Sequence, residues 1–284
     1  IGWFAVGTFF ATKFILTGIG INSTPMTFPF ALVSVLWAYS LGYIAIKGIQ
    51  YVGRVATILN LIPALIILFV FAKTSSGIPS YLPENPATGF GILMTIQVVV
   101  GFFATAGAAG TDFGMNSRTK KDIILGGLLG IAVPIILVGA LTLGAVAGAH
   151  GLNASLPDLQ YGTAVASVGG LLASVMFLLF AVASIAPGCF STFIAANSFE
   201  TMLPRIPRLT STMIAVTLAA ILSITGIAAN LVGFFTVVGA SFGPICGAMA
   251  ADYLLSNRTW AGPRKGVNIA GYGAWALGFV VGII

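Results

Sequence analysis

Nine apolar stretches alternate with short polar gaps along the chain. Each stretch comes close to, or exceeds, the roughly 20 apolar residues that a helix needs to cross a bilayer. The pattern therefore predicts an all-α integral membrane protein with one transmembrane domain over residues 1–284. We expect its spanning helices at roughly 1–20, 28–46, 55–72, 88–111, 124–148, 166–198, 210–227, 231–255 and 268–284.

Composition supports this reading and excludes a soluble domain. The chain is 58% hydrophobic and only 6% charged, with a mean hydropathy of +1.07, whereas an ordinary soluble domain is about 25% charged. The net charge of +6 does not indicate nucleic-acid binding, because a nucleic-acid binder needs a basic face on a folded domain. We expect the lipid bilayer, and no nucleic acid, among the partners.

The basic residues fall in alternate gaps, as the positive-inside rule requires of a chain that crosses a membrane repeatedly. We therefore place the gaps at 47–54, 112–123, 199–209 and 256–267 in the cytoplasm, and the protein in the inner or plasma membrane. The first stretch then runs from inside to outside. Ten of the twelve Lys and Arg residues lie in these four gaps: Lys47, Arg54, Arg118, Lys120, Lys121, Arg205, Arg208, Arg258, Arg264 and Lys265.

Little in the apolar stretches could support enzyme chemistry. They contain no histidine and no paired carboxylates, while a hydrolase needs a nucleophile with a base, or metal ligands. Asp112 and Asp252 end two stretches beside basic gaps, where we expect them to pair with Arg118 or Arg258. We expect a carrier of a neutral polar solute and not an enzyme.

Lys13 is the one cation inside an apolar stretch. A lysine at the bilayer centre costs at least about 2.5–3.5 kcal/mol on insertion scales, but a lysine near a helix end can reach the interface. We favour an interfacial Lys13, with a buried functional lysine as the alternative. His150, in a predicted outer gap, is expected to be a surface residue.

The fourth stretch has the composition of an interrupted, solute-binding helix. Gly101, Gly107 and Gly110 disfavour a continuous helix, and irregular backbone inside a membrane is tolerated where it lines a cavity. The aromatic pair at 102–103 and the hydroxyl of Thr105 lie beside the expected break. The alternative is that the glycines pack helices together and the rings face lipid.

The sixth stretch has a proline at its centre. Pro187 removes a backbone donor and frees a carbonyl one turn earlier, and Ser191 and Thr192 place hydroxyls near that carbonyl. Such neutral oxygens suit a sodium ion, while Asn197 offers both a donor and an acceptor to a solute. Ordinary interhelical hydrogen bonding is the alternative.

At these residues the chain resembles the nucleobase:cation symporter-1 family, which includes carriers of cytosine, uracil, allantoin and hydantoin. The resemblance covers most of the chain and is most specific at its end. The similar segments are Gly2-Trp-Phe-Ala-Val-Gly7, Gly101-Phe-Phe-Ala-Thr105, Thr111-Asp-Phe113, Gly243-Pro-Ile-Cys-Gly247 and Ala251-Asp-Tyr-Leu254.

The resemblance implies a LeuT-type inverted-repeat fold of twelve helices, of which this chain would supply about the third to the eleventh. We accordingly expect the native protein to extend beyond both ends. In this family aromatic side chains stack a planar ring, and by position Trp3 and Phe103 match them. Thr105 and Asn197 match polar positions at the ring edge. Gly7 departs from the pattern, because hydantoin-type carriers have glutamine there.

The resemblance also implies a sodium site in the sixth stretch. An i, i+3, i+4 ligand set gives Gly188, Ser191 and Thr192. A register shifted by one turn gives Ser184 or Ile185 with Gly188 and Cys189. We prefer the first register because it supplies two hydroxyls.

Taken together, the sequence predicts a secondary carrier that imports a nucleobase or related planar heterocycle with sodium as coupling ion, proton coupling remaining open. The alternative within this fold is a carrier of amino acids or vitamin-like solutes. A membrane enzyme or receptor is a third hypothesis, which the inventory of side chains disfavours.

Overall fold

The computed structural model describes residues 1–83, 87–108, 110, 114, 117–259 and 266–283, and these are 83% helical without a strand. Two short 3-10 helices, Ser75–Ser80 and Ile227–Ala229, and one π-helical turn, Leu128–Ala132, join the α-helices. The α-helices are α1 Gly2–Gly18, α2 Phe28–Thr74, α3 Gly89–Ala108, α4 Lys120–Gly127, α5 Val133–Leu152, α6 Tyr161–Ser167, α7 Gly170–Ala183, α8 Ile185–Met202, α9 Arg208–Ile224, α10 Leu231–Leu255 and α11 Ile269–Ile283.

Several of these helices are long and apolar enough to cross a bilayer, as a multi-pass membrane protein requires. Large apolar side chains such as Leu65, Ile136 and Leu171 are exposed along them, which suits a lipid environment. Within the described residues five stretches meet the length and hydropathy needed: Phe28–Lys47, Val52–Ser80, Lys120–Leu152, Gly170–Met202 and Leu231–Leu255.

The chain forms two compact units. The first comprises Ile1–Pro83 and Leu129–Ala229, and the second comprises Glu84–Leu128 and Asn230–Ile284. One of the three points where the chain passes from one unit to the other lies inside the π-helical turn that precedes Pro134. Proline has no N–H to bond the carbonyl one turn earlier, so the regular hydrogen-bond pattern is broken within this turn.

The core of the first unit lies where α2, α5, α6 and α7 meet. Val70, Ala145 and Val165 are completely buried there, and Phe177 is 5% exposed. Phe14 of α1 covers this core by stacking on Phe177, with ring centroids 5.9 Å apart. Between helices in lipid, close van der Waals packing stabilises such a core, and small residues permit the close approach typical of membrane proteins.

Contacts inside the first unit fix the relative directions of its helices. The end of α2 runs parallel to α5, because a Cβ at Gly144 would lie 2.8 Å from Phe71 and one at Gly148 would lie 2.2 Å from the Thr74 carbonyl. The beginning of α2 is antiparallel to α9, because Ser34 bonds Ser223, whereas Tyr39, later in α2, bonds Thr217, which is earlier in α9.

Helix α2 is one continuous helix of 47 residues, where the sequence predicted two helices separated by a gap at 47–54. A straight helix of that length would be about 70 Å long and would put Ser34 about 48 Å from Ile66. Ser34 nevertheless bonds Thr12 of α1, and Phe14 packs on the core that contains Ile66. The two halves of α2 therefore bend back towards the same region of α1, as two antiparallel spans would.

The second unit is built on α3, α10 and α11. Gly101 of α3 lies against the backbone of Phe235 in α10, and Gly278 of α11 lies against the ring of Pro244. The Trp275 indole N–H donates to the Ser241 carbonyl at 2.9 Å. Such a donor supplies a hydrogen bond to the backbone next to a proline in a spanning helix.

A polar loop closes one end of the first unit. The Lys13 ammonium is 3.4 Å from the Gln160 amide oxygen, and His150 bonds the Asp158 carbonyl at 2.8 Å. The Asp158 carboxylate accepts hydrogen bonds from Thr163 and from the Gln160 backbone. Lys13 therefore reaches polar groups at the end of α1, which agrees with the interfacial position expected for it.

Candidate functional site

The sixth apolar stretch is interrupted twice. Gly169 and Gly170, with φ of +79° and +61°, separate α6 from α7, and Ser184 separates α7 from α8. Pro187 accounts for the second interruption, because it has no N–H for the Ala183 carbonyl one turn earlier. Helix α7 ends at Ala183, and Ser184 donates its hydroxyl proton to the Ala181 carbonyl at 2.7 Å.

Two of the three predicted sodium ligands are adjacent just after this interruption. The Thr192 hydroxyl donates to the Gly188 carbonyl at 3.0 Å, and Thr192 is 2% exposed. A hydroxyl that donates its proton in this way retains its oxygen lone pairs. Ser191, the third ligand, is half-buried on a neighbouring part of α8. The arrangement offers neutral oxygens of the kind that hard cations prefer.

The alternative assignment of sodium ligands includes residues at the interruption. It combines Ser184 or Ile185 with Gly188 and Cys189. The Ser184 carbonyl accepts from the Gly188 N–H at 3.1 Å, and the buried Cys189 thiol faces the Leu41 carbonyl at 3.8 Å. Thiols suit softer metals than sodium, so the chemistry still favours the first register.

Gly188 also has a packing role. A Cβ at this position would lie 2.7 Å from Leu41 of α2 and 3.8 Å from the ring of Phe4 in α1. The start of α8 is thus held against both helices. Since Trp3 precedes Phe4 in the chain, this contact brings the beginning of α1, with one predicted stacking residue, next to the predicted ion ligands of α8.

Trp3 is half-buried at the beginning of α1, and Gly7 lies one turn later on the same face. A Cβ at Gly7 would meet no atom within 4 Å. Phe10, a further three residues along, is also half-buried and contacts Phe9 and Phe14. The face thus presents aromatic side chains on both sides of an open position, which is suitable for stacking a planar ring.

Asn197 lies near the end of α8 in a cluster with the first residue of α9. Its side-chain oxygen accepts from Arg208 at 2.8 Å. Arg208 also forms an ion pair with Glu200 at 2.8 Å and lies over the Phe193 ring, 5.5 Å from its centroid. Sequence reasoning missed Arg208, which it assigned only to the charge of a cytoplasmic gap.

In the fourth stretch a break was expected among Gly101, Gly107 and Gly110, but helix α3 is continuous from Gly89 to Ala108. At Gly101 glycine is required for a different reason. A Cβ at Gly101 would lie 2.0 Å from the Phe235 carbonyl oxygen of α10, and a Cβ at Gly239 would lie 2.9 Å from the Gly101 Cα. The packing alternative therefore accounts for Gly101. The predicted motif at 111–113 lies outside the described residues.

The aromatic pair that follows Gly101 belongs to a cluster in the second unit. Phe103 is half-buried, and its ring centroid lies 4.8 Å from that of Phe102. Phe102 in turn lies 5.1 Å from Phe235. Thr105 is half-buried one turn further along α3 than Gly101. Phe103 and Thr105 thus share the second unit, while Trp3, Ser191, Thr192 and Asn197 belong to the first.

Carboxylate, thiol and imidazole groups do not form a metal site in the part of the chain described, since no three of them come together there. Asp252 lies in the last turn of α10, and Asp112 lies outside the described residues. The neutral oxygens of α8 are therefore the candidates for holding a cation.

Comparison of the chain with protein-family models, with curated proteins and with solved structures finds no significant match in any of the three. The family resemblance therefore remains a prediction from the quoted motifs.

Proposed function

We propose that this protein is a secondary carrier that imports a nucleobase or a related planar heterocycle together with sodium. The observation that carries the proposal is the interruption of the α7–α8 span at Ser184, followed directly by buried oxygens of Gly188 and Thr192. In a bilayer, backbone groups released by such an interruption are costly unless they bind something. Transporters use them as ligands for ions and substrates.

The solute would be a flat, uncharged ring. Trp3 with the open position at Gly7 supplies an aromatic face in the first unit, and Phe103 supplies one in the second. Thr105 and Asn197 would hydrogen-bond the ring edge. An uncharged solute agrees with a chain in which charged residues are 6% of the total, since buried charges require partners.

Sodium would be the second transported species, held by Gly188, Ser191 and Thr192. An inward-moving unit charge gains about 2.3 kcal/mol per 100 mV of membrane potential, which corresponds to accumulation of some tens-fold.

Radiolabelled uptake tests the proposal. Cells expressing the full-length protein should accumulate at least one of cytosine, uracil, adenine, allantoin and hydantoin above vector-only cells. Excess unlabelled ring should compete. If no ring is accumulated while an amino acid or vitamin-like solute is, the alternative carrier of the same fold replaces this proposal. Turnover or signalling without accumulation of any solute would favour an enzyme or a receptor.

A further inference from the structure

The contact between Arg208 and Asn197 determines which end of the Asn197 side-chain amide faces Arg208. A guanidinium group has five N–H donors and no acceptor. The Asn197 atom that lies 2.8 Å from Arg208 must therefore be the side-chain oxygen, which accepts the hydrogen bond. The two N–H donors of the Asn197 amide are then the part that Arg208 does not engage.

Arg208 is itself held by contacts on several sides. Glu200 binds its other terminal nitrogen at 2.8 Å, and the central guanidinium carbon lies 5.5 Å from the centroid of the Phe193 ring. Exposed ion pairs add little stability, but a planar guanidinium bound on several sides is well oriented.

We propose that Arg208 is a specificity-determining residue that holds the Asn197 amide with its N–H groups directed to the solute. The inference rests on the proposed function, in which Asn197 contacts the ring edge. An amide held in this way turns both N–H donors towards the solute, while its oxygen already accepts from Arg208. The preferred solutes are therefore heterocycles that present a carbonyl oxygen at that edge, and rings that present an amino group there are disfavoured because two donors would face each other.

Hypoxanthine and adenine test this inference, because they share a purine ring but carry a carbonyl and an amino group, respectively, at the same carbon. Purified full-length protein in proteoliposomes is given both, and the ratio of their uptake rates is measured. We expect the wild type to prefer hypoxanthine at least about tenfold, since a site built around one hydrogen bond discriminates strongly against its absence.

Variants separate selectivity from folding. Arg208→Gln replaces a donor-only group by one that can also accept, so the Asn197 amide can turn and the ratio should fall to near one. Arg208→Lys retains a donor-only group and should keep most of the preference. Glu200→Gln leaves the Arg208–Asn197 bond in place and should also keep it. Asn197→Asp retains the contact with Arg208 but removes both donors, and should abolish the hypoxanthine preference.

A preference that survives Arg208→Gln or Asn197→Asp would overturn the inference while leaving the proposed function intact, and so would a wild type that prefers adenine. If Arg208 only holds α8 and α9 together, the variants should have lower thermal stability but an unchanged ratio of hypoxanthine to adenine uptake. That result would also overturn the inference. If the wild type takes up neither ring nor any other heterocycle, the proposed function itself fails, and the inference fails with it.

Discussion

Helix α3 and the α7–α8 span are both rich in small residues, yet only one of them is interrupted. Glycine occurs in α3 at positions where another helix approaches, and α3 stays continuous from Gly89 to Ala108. In the α7–α8 span Pro187 removes a backbone donor, and the helix ends at Ala183 and restarts at Ile185. Glycine weakens a helix by about 1 kcal/mol per residue, which close packing can offset, whereas a missing donor cannot be replaced by packing.

The difference separates two uses of a membrane helix. At Gly101 the absence of a side chain lets two backbones meet, which is a purely structural role. At Ser184 and Pro187 the backbone itself becomes available for binding. The site proposal therefore depends more on the α7–α8 span than on α3, although Phe103 of α3 remains a candidate for stacking the solute.

The largest expected effect is at the packing glycine. Gly101→Ala places a Cβ where the Phe235 carbonyl oxygen lies 2.0 Å away, and neither backbone can yield without separating α3 from α10. We expect a loss of more than about 2 kcal/mol in stability, at the upper end of overpacking effects. Thermal unfolding in detergent measures it. Gly243→Ala, which would meet nothing within 4 Å, is the control and should change little.

Equal stability of the two alanine variants would show that α3 and α10 do not meet at Gly101. Close packing against α10 would then no longer explain the glycine at position 101, and a functional explanation would be needed.

The next effect concerns the interruption. Pro187→Ala restores the N–H that the Ala183 carbonyl lacks, so α7 and α8 can join into one helix. We expect folding to be retained while solute uptake falls at least about tenfold, because the Ala183 carbonyl oxygen would be bonded within the helix and no longer available for binding. Pro134→Ala, in the first turn of α5, is the matched control and should transport normally. Normal uptake by Pro187→Ala would show that the interruption at Ser184 is not needed for transport.

A smaller effect is expected at Gly188. A Cβ there meets the end of the flexible Leu41 side chain at 2.7 Å, so Gly188→Ala should cost only about 1 kcal/mol. In the Leu41→Ala background the same Gly188→Ala change should cost little further stability, which is a coupling that a double-mutant cycle detects. Strictly additive effects would show that α8 and α2 are not in contact at this point.

The smallest effect is in the polar loop. The hydrogen bond from Thr163, followed by that from the Gln160 backbone, lowers the pKa of the Asp158 carboxyl below its usual value, although partial desolvation opposes it. A carboxyl whose pKa is lowered by folding stabilises the protein above its unfolded pKa, and this stability is lost as the pH falls through the folded value. Thr163→Val should therefore reduce stability slightly at neutral pH and leave it unchanged in strong acid. Thermal unfolding between pH 7 and about pH 2, well below the usual carboxyl pKa, tests this, and an equal loss at both ends would exclude the Asp158 linkage.

The sequence predicted an all-helical protein with several helices long and apolar enough to cross a bilayer, because hydrophobic length follows directly from the bilayer thickness. The structure agrees at this level, with five such stretches among the described residues. The break at Pro187 was also predictable, since the missing N–H is local. The helix is continuous at Gly101, where the reason for glycine is the distant Phe235 backbone, which no local pattern reveals.

The contacts of Arg208 could not be predicted for the same reason. Its partners Asn197 and Glu200 lie on another helix, and a basic residue in a gap indicates orientation without indicating a partner. Lys13 shows the opposite case, because polar surroundings for it were expected from the energy of burying a cation, and its ammonium lies 3.4 Å from the Gln160 amide oxygen. Gly7 was noted as a departure from the family pattern, but only the structure shows the open space beside it.

Sodium-dependent uptake is the most direct test of the α8 site. Full-length protein in proteoliposomes is given a labelled heterocycle with an inward sodium gradient, and the sodium concentration for half-maximal uptake is measured. Thr192→Val removes the hydroxyl next to the Gly188 carbonyl, whereas Thr236→Val removes an exposed hydroxyl that makes the same type of bond to Val232. We predict that accumulation requires sodium. Thr192→Val should raise the sodium concentration for half-maximal uptake at least about tenfold, and Thr236→Val should leave it unchanged. Accumulation that is equal without sodium, or equally sensitive to both variants, would contradict an ion site in the interrupted span.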